Sequence, residues 1–80
     1  MTWCKAWYKD PTEWNPIRAC DVYKGYSRKD ALDVAKYYAK QEQKTVIVKC
    51  EFPCRRGGLT ADWYDVHPDG TVIQTGEGVR

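Results

Sequence analysis

The chain has 80 residues, a formal net charge of +2 and 14% aromatic residues, with four Trp and six Tyr. That length suffices for one domain with one core, and lies near the lower limit for stability without a staple. Leu, Ile, Val and Phe number only 13, but the aromatic content and near-neutral charge argue against a disordered chain, and no basic block offers the phosphate-tracking stripe of a non-specific nucleic-acid binder. With aliphatic volume short, Tyr and Trp are expected to fill core space, about half of the four tryptophans among them.

Thr2 to Tyr8 reads as a first strand built on Trp3, Trp7 and Tyr8. Asp10-Pro11-Thr12-Glu13-Trp14-Asn15-Pro16 carries two prolines and marks a loop. Ile17 to Tyr23 is a second strand, interrupted by Asp21. A helix is expected from Arg28 to Gln41, with Ser27 at the N-cap and Asp30 three residues on in a capping-box arrangement. At about 100° per residue, Ala31, Leu32, Val34, Ala35, Tyr38 and Ala39 share one arc, opposite Asp33, Lys36 and Lys40. So alanine-rich a face can lie close on a flat surface, and a sheet is the natural partner.

Thr45 to Phe52 alternates, with Val46, Val48, Cys50 and Phe52 on one side. A polar connection through Cys54-Arg55-Arg56-Gly57-Gly58 leads to a strand over Ala61 to Val66. His67-Pro68-Asp69-Gly70-Thr71 fits a type I turn with Gly70 left-handed, setting Val66 opposite Val72 and Asp65 opposite Ile73. Gly76 to Arg80 reads as a loose tail after a single domain over residues 1–75. The fold class is α+β, one helix on one face of a small antiparallel sheet in the order β-β-α-β-β-β. One helix covers one face only. Alternation then leaves Ile47, Trp63 and Ile73 on the other face, where a lone domain would place polar groups, and such a patch marks an interface.

The polar residues point away from catalysis. A nucleophilic triad needs a nucleophile, a base and an orienting acid, yet the one Ser is a helix cap and the one His stands beside a turn. Asp62 and Asp65 should face opposite sides of a strand, which separates them as metal ligands. Cys4, Cys20, Cys50 and Cys54 carry three readings: zinc ligands, of which only Cys50 and Cys54 are tightly spaced; a Cys4–Cys20 bridge if the first two strands pair about Thr12; or small, reduced, buried residues. The start lacks the apolar stretch of a secretory signal, so a cytoplasmic, thiol-reducing location is expected, with no membrane contact.

Basic residues supply the remaining site candidates. Arg55 and Arg56 on a glycine-flanked loop could clamp a phosphate or carboxylate. Arg28 and Lys29 stand in the first helical turn, where positive charge opposes the helix dipole, and Lys24 lies close by in sequence. An acidic partner at that corner would relieve the conflict, as Asp30 and Asp33 would also do.

The segment Tyr26-Ser27-Arg28-Lys29-Asp30-Ala31-Leu32-Asp33-Val34-Ala35, the strand Thr45–Phe52 and the hairpin through Pro68-Asp69-Gly70 define the layout. In that layout, in size and in lacking catalytic residues, the chain resembles the anti-CRISPR proteins of phages. The resemblance implies a non-catalytic inhibitor without cofactor, acting in the host cytoplasm as monomer or homodimer. It would dock on a host protein or ribonucleoprotein, a CRISPR surveillance complex, and block target DNA binding. The docking residues expected are Trp63, Ile73, Ile47, Arg55, Arg56, Lys24, Arg28 and Lys29. The alternative is a small nucleic-acid-binding module that stacks bases on aromatic rings and contacts phosphates with Arg and Lys.

Overall fold

The computed structural model describes residues 2–9 and 21–76. Five strands and one helix follow in the order β1 (Trp3–Tyr8), β2 (Asp21–Gly25), α1 (Arg28–Glu42), β3 (Val46–Pro53), β4 (Leu59–Val66) and β5 (Val72–Gly76). The strands form one antiparallel sheet in the spatial order β2-β1-β3-β4-β5. Since β2 and β3 both run antiparallel to β1, they are parallel to each other, and α1 is the crossover that joins them. The fold is therefore the α+β arrangement that the sequence implies. Among the described residues no helix is long and apolar enough to cross a membrane.

Local chemistry sets the ends of α1. The Ser27 hydroxyl accepts a hydrogen bond from the Asp30 amide at 3.1 Å, satisfying an amide that the first turn leaves without a carbonyl. At the other end Gln43 adopts a left-handed conformation (φ 52°), and the Gln43 and Lys44 amides both donate to the Ala39 carbonyl. Ala31, Ala35 and Ala39 are fully buried, one on each successive turn. Small side chains there let the helix axis lie close to the strands.

The core between helix and sheet consists of Cys4, Ala6, Ala31, Ala35, Ala39, Val46, Val48, Cys50 and Val66, with Tyr8, Val22, Tyr23, Leu32, Tyr64 and Val72 packed around it. This corrects the expectation that about half of the four tryptophans are core, since none of Trp3, Trp7 and Trp63 is. Alternation puts Trp3 and Trp7 of β1 opposite in facing to Cys4 and Ala6, and Trp63 opposite in facing to Tyr64. An alanine-lined helix also leaves no room for an indole. Trp14 lies outside the described residues.

The hairpin has the expected register, with Val66 opposite Val72 and Asp65 opposite Ile73. In its turn the Gly70 amide donates to the His67 carbonyl and the His67 amide to the Thr71 carbonyl, both at 2.9 Å. Gly70 has φ 92°, a region that L side chains rarely adopt. β2 differs from expectation. It pairs Cys4 with Gly25, so the residue facing Cys4 from β2 is not Cys20. The pairing centre falls later in the chain than Thr12, because β2 runs on to Gly25. Cys20 itself lies outside the described residues, as do residues 77–80 of the expected tail.

Candidate interaction face

The side of the sheet away from α1 is built in rows across the strands. One row runs Lys24, Lys5, Lys49, Trp63; another runs Trp7, Ile47, Asp65, Ile73; a third holds Trp3, Glu51 and Ala61. Residues that face each other in register share a side of the sheet. The alternate rows, with Cys4, Cys50 and Asp62, or with Ala6, Val48 and Tyr64, lie under α1. Three tryptophans and two isoleucines therefore stand on the face that the helix leaves open.

Their packing is lateral. Trp7 and Trp63 meet edge to face with ring centroids 6.1 Å apart, and the Lys49 ammonium sits 5.1 Å from the Trp63 centroid. Lys49 also pairs with Glu51 at 2.9 Å, and Lys9 with Asp65 at 3.1 Å. Glu51 and Asp65 are thus each engaged by a lysine. Trp3 contacts Tyr26 edge to face at 5.0 Å. Trp3, Trp7 and Trp63 are half-buried, whereas Ile73 is 48% exposed and Leu59, at the start of β4, 60% exposed.

The structure gathers four of the eight expected docking residues on this face: Ile47, Trp63, Ile73 and Lys24. The other four lie elsewhere. The Arg28 guanidinium is 3.0 Å from the Asp62 carboxylate and 5.8 Å from the Phe52 centroid, tying the start of α1 to the covered side of the sheet. Lys29 is exposed on α1. Arg55 and Arg56 are exposed in the β3–β4 turn, where Gly57 and Gly58 both have positive φ and the Cys54 amide donates to the Gly58 carbonyl at 3.1 Å. Sequence reasoning left Trp3 and Trp7 open between core and interface and passed over Lys5 and Lys49. The signal for the β1 residues is the alternation Trp3-Cys4-Lys5-Ala6-Trp7, in which small residues mark the inward side, and Lys49 lies between inward Val48 and Cys50.

His67 and Asp69 have local partners. His67 Nδ1 is 3.3 Å from the Thr45 hydroxyl, and the Thr71 amide donates to the Asp69 carboxylate at 2.8 Å, which holds the Asp69 carboxyl below its ordinary range. Asp62 and Asp65 face opposite sides of the sheet. Among the described residues no three of His, Cys, Asp and Glu come together to hold a metal. Beneath α1, burial pushes the Cys4 thiol up to about 12, with the adjacent Cys50 adding to the shift. Burial also raises Tyr64, against the pull of Arg28.

Comparison with family models, with curated proteins and with solved structures finds no match to this chain.

Proposed function

We propose that the chain is a non-catalytic binding protein that docks through the open face of its sheet on a larger protein or ribonucleoprotein. The observation that carries this reading is the placement of Trp3, Trp7, Trp63, Ile47 and Ile73 away from the helix. A domain short of aliphatic residues gains stability by burying its largest apolar groups, and this one leaves three indoles half-buried outside its core. Tryptophan is among the residue types most enriched in interface hot spots. The specific form implied by the resemblance to anti-CRISPR proteins is occlusion of a surveillance complex. Expressed in a bacterium with active CRISPR interference, the chain should relieve that interference. Trp63→Ala and Ile73→Glu should each lower the relief at least tenfold with circular dichroism unchanged, and Arg56→Glu tests the adjoining turn. Relief that survives the first two variants removes this face. No relief in any system removes that class of partner.

A second reading rests on the lysines. Lys24, Lys5 and Lys49 form one row beside Trp63, with Trp3 and Trp7 in the rows on either side. Bases stacked on those rings with phosphates on those ammonium groups would make a single-strand platform. Fluorescence anisotropy of labelled single- and double-stranded oligonucleotides across a salt series separates the readings, because such binding must weaken steeply with salt. Absence of binding at low salt leaves the protein-docking reading alone.

A further inference from the structure

Cys4 of β1 and Cys50 of β3 face each other directly in the antiparallel register. Both are fully buried beneath α1, and 46 positions of sequence separate them. Their Sγ atoms are 2.7 Å apart. The two are free thiols in direct contact, the Cys4 thiol donating to the Cys50 sulfur. Residues opposed on antiparallel strands have Cα atoms about 4.5–5.5 Å apart, inside the window of about 4.4–6.8 Å that a bridge spans. No strand has to shift for a bond to form. Cys54, the other described cysteine, is in the β3–β4 turn.

We propose that Cys4 and Cys50 are an oxidisable dithiol, which a low-molecular-mass disulfide such as oxidised glutathione converts into an intramolecular bridge stapling β1 to β3. One protein thiolate attacks the oxidant and displaces one reduced thiol, leaving a mixed disulfide. The second protein thiolate then attacks the mixed disulfide and displaces the second reduced thiol. The two cysteines give up two electrons and two protons, and one molecule of oxidised glutathione becomes two of the reduced form. Neither sulfur is reachable from solvent in the closed fold, so the exchange proceeds while the chain folds or when α1 lifts from the sheet, and is slow otherwise. The bridge lies on the covered side of the sheet, so it leaves the tryptophan face in place and stands or falls independently of the docking reading.

The double variant Cys20→Ser, Cys54→Ser retains Cys4 and Cys50 alone of the four cysteines. Reduced, unfolded in guanidinium and diluted into oxidised glutathione, it should refold with a mass lower by about 2 Da and no thiol that iodoacetamide can reach in denaturant. A Cys4–Cys50 peptide should appear in the digest and vanish on reduction, and the melting temperature should rise by roughly 10 °C or more over the reduced form. Two alkylatable thiols, a retained glutathione adduct or a linked dimer would each overturn the proposal. If the double variant does not refold, the wild-type chain decides under the same conditions. A Cys4–Cys50 peptide there supports the dithiol, and a Cys4–Cys20 peptide or four free thiols overturns it.

Discussion

At Cys4 the fold holds a thiol in its neutral form. Burial, reinforced by the hydrogen bond and charge of Cys50, moves its pKa from the ordinary 9.0 to about 12. The unfolded chain can ionise that thiol at lower pH than the native protein can. The stabilisation is therefore complete below about pH 9 and is lost progressively as pH rises towards 12. Tyr64, also raised by burial, acts in the same direction. The urea midpoint of the reduced protein should fall between pH 7 and pH 10.5, and Cys4→Ala should reduce that fall. A midpoint constant across the range would mean that these groups are solvated in the native state. Arg28 illustrates a different residue-scale result. The cost of a cation in the first helical turn is offset here by Asp62 of β4, an internal partner that no spacing in the sequence signals.

At the scale of elements, the hairpin and the helix follow from local chemistry. Pro68-Asp69-Gly70 closes the β4–β5 turn with Gly70 at φ 92°, and a Cβ added there would meet nothing within 4 Å. The cost of Gly70→Ala is thus backbone strain alone. It should be roughly 1 kcal/mol, seen as a lower urea midpoint with an unchanged slope. No loss of stability would mean that the turn relaxes into another type. The Ser27 cap and the buried alanine stripe were legible because capping and helical periodicity act over three or four residues. The register of β1 against β2 was not. It includes an irregularity between Ala6 and Trp7 that shifts the pairing and leaves no local mark in the sequence.

At the scale of the molecule, the two faces of the sheet have different loads. The covered face is a thin core of valine, alanine and cysteine, so each methyl group there matters more than in a large domain. Val48→Ala should cost about 2 kcal/mol or more by leaving a cavity under α1. Ile47→Ala, on the adjacent residue but the open face, should cost less although it removes more carbon atoms. Chemical denaturation of both variants gives the order. The reverse order, with a midpoint that rises with protein concentration, would show the open face buried against a second copy of the chain. On that face Trp7 and Trp63 meet edge to face, Trp3 meets Tyr26, and the Lys49 ammonium lies over Trp63, while α1 packs on the opposite face.

The capped helix, the alternating strand read over Thr45–Phe52 and found at Val46–Pro53, the Asp-Gly turn and the β-β-α-β-β-β order were written in the sequence, because each depends on neighbours within a few residues. So was the presence of one sheet face turned away from the helix, which follows from one helix and one sheet. Which side each tryptophan took, which acid answers Arg28, and that Cys4 meets Cys50 were decided by the tertiary structure alone. Those outcomes depend on register between strands far apart in the chain, where a shift by one residue would exchange the two faces.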